Sequence, residues 1–186
     1  MLRGAAQEFD TRPSDEPELR KQDEQAEDFA LRVARAKAED VARRTPGRWV
    51  LGADTIVVVD RDVLGKPRDR DEARRMLLRL SGRDHEVLTA FVLVDAAGDL
   101  FTSRAVRSRV SFRSLSLEEI DEYVASEEPL DKAGAYAIQG GAKSFVSGVS
   151  GSWTNVVGLP IDEVRESLKS AGLWRETGFA HEEDEA

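Results

Sequence analysis

An aspartate interrupts an apolar run at "VLGADTIVVVD", residues 50–60. Val50, Leu51, Ile56, Val57, Val58 and Val59 are the bulky and β-branched residues that fill a covered strand. An ionised carboxylate in such a strand is costly unless a cation or hydrogen-bond donors meet it. Two arrangements satisfy Asp54: Gly52-Ala53-Asp54 forms a turn, or the carboxylate sits at a strand end facing a positive group. Lys37 is a candidate for that group. It falls on an apolar helical stripe, four residues after Val33 and four before Val41. A lysine among core-facing positions either snorkels, with its stem on the core and its amine in water, or delivers the amine into a cleft.

Two further segments carry polar residues that a plain scaffold does not need. In "LGKP", Gly65 lets the backbone turn, Pro67 fixes it, and Lys66 is pushed outward. "EPLDKAGAYAIQGGAKSF", residues 128–145, is a run of Gly and Ala suited to backbone that approaches a ligand closely. Gln139 within it offers both a donor and an acceptor, which suits the polar edge of a nucleobase or, equally, its own backbone. Glu16 and Glu18 precede the first helical pattern, where acidic residues are favourable partners of the helix dipole.

The elements that would position these groups alternate between the two periodicities. Ala26, Ala30, Val33 and Val41, widened by Phe29 and Ala34, predict a helix within residues 23–44. A strand over 49–60 turns at 60–62 and returns through Val63-Leu64 into "GKP". Residues 71–80 read as a helix closed by Gly82. Residues 85–95 and 102–112 read as strands joined by an "AAGD" hairpin turn. Ser116 and Glu119 form a capping box that opens a helix over 117–126. "GSWTNVVGLP", residues 151–160, reads as a loop leading into a last helix over 161–171. Strand–strand hairpins among the helices predict an α/β fold with a mixed, twisted sheet flanked by helices. No repeat and no linker separates the chain into parts, so 1–175 is expected to be one domain and the acidic residues 176–186 a disordered tail.

The 186 residues are 40% apolar and 34% charged, with a net charge of −9 and no cysteine. The acidity excludes a nucleic-acid surface, which needs a basic footprint. Disulfides and thiolate metal sites are excluded, and two histidines leave little for zinc. No membrane span or signal peptide appears, so a cytoplasmic protein is expected. An acidic chain still binds a polyphosphate if a few lysines converge and a divalent metal joins them.

"GADTIVV", "GKP", "LSGRDHEVLT", "SRVSFRSLSLEEIDEYV", "EPLDKAGAYAIQGGAKSFV" and "GSWTNVVGLP" occur in an order and spacing that resemble the Maf family, from about Leu2 to Leu173. Those proteins are nucleoside triphosphate pyrophosphatases. The resemblance implies a Maf/ITPase-like fold with two lobes around a nucleotide cleft, and Asp54 as catalytic residue facing that cleft. It implies that Lys37 and Lys66 face phosphate, and that an upstream glutamate, Glu18 or else Glu16, joins Asp54 in holding Mg²⁺, with Mn²⁺ and Co²⁺ as alternatives. "DKAGAYAIQG" resembles the branch acting on dTTP and UTP, in which Thr55 and Gln139 are the selectivity positions. Family members open with a strand and a Ser-Pro-Arg-Arg loop, and "MLRGAAQEF" is expected to begin after that loop. The expected partner is a nucleoside triphosphate, with no nucleic acid or membrane, and a homodimer is allowed. The rival reading is a non-catalytic nucleotide-binding or division-regulating protein of the same fold.

Overall fold

The computed structural model describes residues 9–174, so the opening "MLRGAAQE" and the acidic tail lie outside the described residues. The chain order is α1 (Ala26–Arg44), β1 (Val50–Val59), β2 (Asp62–Leu64), α2 (Arg70–Leu80), β3 (Asp84–Val94), β4 (Leu100–Phe112), α3 (Leu117–Ala125), β5 (Val146–Ser150), α4 (Trp153–Val157) and α5 (Ile161–Ser170). The strands form one sheet in the order β2-β1-β3-β4-β5. The α/β fold is as expected, and every described pairing within the sheet is antiparallel.

Local chemistry explains the boundaries. Asp60 and Arg61 both take positive φ, 52° and 69°, and close the β1–β2 hairpin in the primed geometry that matches strand twist. Asp69 caps α2 through the Glu72 N–H, and Ser116 and Glu119 form the capping box of α3. Helix α1 starts three residues later than the earliest expected position, because Asp23 has φ 58° and cannot continue a right-handed helix. The segment read as a loop over 151–160 contains α4, a single turn capped by Ser152.

Alternation along β1 divides the core between the two faces of the sheet. Ile56 and Val58 pack with Phe29, Ala30, Val33, Ala34 and Ala38 of α1 and with Leu88, Ala90 and Val92 of β3. Val57 and Val59 pack on the other face with Leu77 and Leu80 of α2, Ile120 and Tyr123 of α3, and Phe112 of β4. Helix α1 presents alanines to the sheet so that the two backbones come close. Gly52 completes that approach, since a Cβ there would lie 2.6 Å from the Ala34 carbonyl and 2.8 Å from Ala38 Cβ. Among the described residues no helix is long and apolar enough to cross a membrane.

Under the second face, His85 Nε2 meets the Tyr136 hydroxyl at 2.8 Å, and both rings stack edge-on against Phe112. This contact ties the 128–145 segment to β3. Burial pushes the His85 pKa down from 6.5 to about 4. A histidine depressed on folding stays neutral in the fold while the unfolded chain takes up a proton. Stability is therefore expected to fall as pH drops from 6.5 toward 4, and His85→Gln should flatten that slope by one proton in thermal melts across the range. An unchanged slope would mean that carboxylates alone set the acid limit.

Candidate active site

Asp54 lies in the middle of β1, paired with Ala90 of β3, and is neither in a turn nor at a strand end. Both expected arrangements are thereby corrected. The strand tolerates the carboxylate because its side chain, only 6% exposed, meets the Lys37 ammonium, with Nζ 2.7 Å from Oδ1. Lys37 reaches it from α1 across the Gly52 contact, and the same amine donates to Glu18 Oε1 at 2.6 Å. Lys66, on the loop after β2, stands 3.4 Å from the same Glu18 oxygen. Four residues from four separate segments thus meet at one point, where the Lys37 amine meets two carboxylates.

Glu18 has no regular element to hold it. The outward arginines of α1 fasten its segment along the helix: Arg32 pairs with Glu24 at 2.6 Å and donates to the Leu19 carbonyl at 2.9 Å, and Arg44 donates to the Pro13 carbonyl at 2.9 Å. Glu16 is drawn to Arg43, at 3.2 Å, and away from the cluster. Glu18 is therefore the upstream glutamate that joins the cluster.

The charges in the cluster are matched but incompletely solvated. Burial raises the Asp54 pKa and the Glu18 charge adds to this, while the hydrogen bond and charge of Lys37 pull it back down. Burial also works against the charged Lys37, yet its bonds to Asp54 and Glu18 prevail and raise its pKa. Glu18 loses solvent but is held below the usual carboxylate range by Lys37 and Lys66. Asp54 Oδ2 and Glu18 Oε2 bond no donor among the described residues, whereas Oδ1 and Oε1 are taken by lysine. These hard oxygens fit a divalent cation of the Mg²⁺ type. Among the described residues no set of three His, Cys, Asp or Glu side chains forms a metal cage, so such a cation would need water and phosphate oxygens to complete its shell.

Thr55 and Gln139 stand apart from this cluster. Being next to Asp54 in a strand, Thr55 projects from the opposite face. Its hydroxyl lies 2.9 Å from Thr89 Oγ1 and 3.4 Å from the Gly158 carbonyl, and Thr89 in turn donates to the Asn155 carbonyl at 3.0 Å. Thr89 and Asn155 were not singled out from the sequence, because their contacts join residues far apart along the chain. Gln139 is exposed at the corner of a turn closed by the Gly140 N–H on the Ala137 carbonyl at 3.0 Å, and its amide meets no group among the described residues. The Gly134 N–H donates to the Gly65 carbonyl at 3.0 Å, which fastens the segment bearing Gln139 to the loop bearing Lys66.

Among the described residues, one edge of β1 beside these groups has no strand paired to most of its length. Among the described residues β2 pairs only with Val57–Val59, so from Val50 to Ile56 the strand has a partner on the β3 side alone. Asp54 borders that edge from one face and Thr55 from the other.

Comparison with known proteins fits this geometry. A chain from Geobacter metallireducens named dTTP/UTP pyrophosphatase is 50% identical over 172 residues, covering 92% of this chain and 90% of the relative. Proteins of the same name from Geobacter sulfurreducens, 51% identical over 92% of this chain and 90% of the relative, and Myxococcus xanthus, 54% identical over 82% and 78%, are also similar. The family model described as Maf-like protein matches residues 1–171, and the chain belongs to the Maf family.

Proposed function

We propose that this chain hydrolyses dTTP and UTP between the α- and β-phosphates, giving the nucleoside monophosphate and pyrophosphate. The observation that carries this reading is Lys37 held between Asp54 and Glu18 beside a strand edge unpaired among the described residues, with Lys66 next to them. The relatives' shared name, dTTP/UTP pyrophosphatase, supplies the substrate class.

A nucleotide lying along that edge would meet the charged cluster on one face of β1 and Thr55 on the other. Lys37 and Lys66 offset charge as it moves onto the departing pyrophosphate. Asp54 accepts the proton of the attacking water at a carboxylate lone pair that neither Lys37 nor the cation uses. Its raised pKa brings it nearer the working pH, which favours proton transfer, while Lys37 keeps it ionised. Glu18 and Asp54 would hold the divalent cation, Mg²⁺ or alternatively Mn²⁺ or Co²⁺, which when bound supplies further charge neutralisation at the phosphates. Gln139 presents a free donor and acceptor matching the N3–H and O4 edge of uracil or thymine. Incubation with dTTP and Mg²⁺ should release dTMP and pyrophosphate in equal amounts by phosphorus NMR. Production of dTDP and phosphate would contradict the assignment of the cleaved bond.

A further inference from the structure

Gln139 sits on a loop with no regular ladder to hold it, so its position depends on side chains. The four-residue turn from Ala137 to Gly140 has its own Gly140-to-Ala137 bond, but that fixes only its shape. Two other backbone donors, placed two residues before and two after Gln139, fix where it stands. The Ala137 N–H donates to the Tyr123 hydroxyl oxygen at 3.0 Å, and the Gly141 N–H donates to Glu128 Oε2 at 2.9 Å. The Tyr123 ring and the Glu128 carboxylate flank the same glycine, Gly141. The result is two separate braces on one turn, Ala137 N–H to Tyr123 on one side of Gln139 and Gly141 N–H to Glu128 on the other.

The fit is close on the glycine side. A Cβ on Gly140 would overlap Glu128 Oε1, and one on Gly141 would come within 3.0 Å of the Tyr123 ring. The glycine pair is therefore required by the carboxylate and ring lying against it. Tyr123 itself is buried in α3 among Ile120 and Phe145, so its brace is anchored in the core on that face of the sheet. Among the described residues the Glu128 carboxylate has no arginine or lysine partner, and it accepts from the loop at Gly141. A carboxylate spent on one backbone donor beside an exposed amide is more than packing needs.

We infer that Glu128 and Tyr123 are positioning residues for base selection: together they brace the turn so that the Gln139 amide is held toward the nucleobase. This rests on the reading of Gln139 given above. The brace touches no phosphate-facing group, so its loss should act on base preference and leave the cluster around Lys37 intact.

The test compares kcat and KM for dTTP and dATP, whose N1 acceptor and N6 donor reverse the thymine edge, in the full chain and in Glu128→Ala, Glu128→Gln, Tyr123→Phe, Gln139→Ala and the double variant Glu128→Ala/Gln139→Ala. In Glu128→Ala the dTTP-over-dATP ratio of kcat/KM should fall about tenfold through a higher KM for dTTP, since small misplacements of a positioning group cost up to roughly a hundredfold. Glu128→Gln keeps an acceptor for Gly141 and should recover most of the ratio, which a loss of bulk stability would not explain. Tyr123→Phe should fall between them. The double variant should be no less selective than Gln139→Ala alone, because both changes remove one function. If Gln139→Ala shifts the ratio while the Glu128 and Tyr123 variants keep it, the brace is wrong and the base reading stands. If Gln139→Ala itself leaves the ratio unchanged, the base reading fails and this inference fails with it.

Discussion

Asp54→Asn is expected to lower kcat for dTTP by roughly 10²–10⁴-fold, the usual cost of removing a general base. The substitution keeps an oxygen for the Lys37 bond at the Oδ1 position and removes only the negative charge and the capacity to take a proton. Binding of a non-hydrolysable dTTP analogue, measured calorimetrically, should change far less. The melting temperature should change little, because the Lys37 ammonium keeps Glu18 as its counter-ion. A variant that retained most of the turnover would remove Asp54 from the chemistry and leave it as the structural counter-ion of α1.

Lys37→Met separates catalysis from packing. The methionine stem fills the place of the lysine stem on α1, so the apolar contacts survive. What disappears is the ammonium between Asp54 and Glu18, 2.7 and 2.6 Å away. Two effects should follow together: kcat/KM for dTTP drops by about a hundredfold or more as a charge-assisted phosphate contact is lost, and stability at neutral pH falls by about 1–3 kcal/mol because the Asp54 carboxylate is left buried and unpaired. Adding Asp54→Asn should restore the stability without restoring the rate. Equal melting temperatures for the single and double variants would mean that the Lys37–Asp54 pair carries no structural load, and unchanged kinetics in Lys37→Met would return the lysine to a surface role.

Much of this site was visible in the sequence because each residue broke a local pattern. Asp54 broke an apolar strand and Lys37 broke an apolar helical stripe, and the structure shows that the two exceptions satisfy each other. The alternatives proposed for Asp54, a turn or a strand end, were too narrow: they left out a cation arriving from a helix packed on the face of the strand. The assignment of Glu18 over Glu16 could not come from spacing. It is decided by which arginines of α1 seize the neighbouring backbone and side chains, as Arg43 takes Glu16. That Thr55 faces away from Asp54 was available from alternation alone once the strand was granted. Strand β5, "VSGVS", was missed because it is five residues long, half exposed, and has no apolar alternation to announce it. The Glu128–Gly141 bond had no signature either, since it spans 13 positions through irregular backbone. Short-range rules found the residues with unusual neighbours, whereas contacts between loops had to be seen.

The central claim is that this edge of β1 and its charged cluster serve pyrimidine triphosphates. Its most direct test is the initial rate of pyrophosphate release from a panel containing dTTP, UTP, CTP, ATP, GTP and 7-methyl-GTP, at subsaturating concentration with Mg²⁺. The expected result is release from dTTP and UTP at least about tenfold faster than from the purine triphosphates. That release should be lost in Asp54→Asn. Preference for GTP or 7-methyl-GTP, or pyrophosphate release that survives Asp54→Asn, would contradict the account.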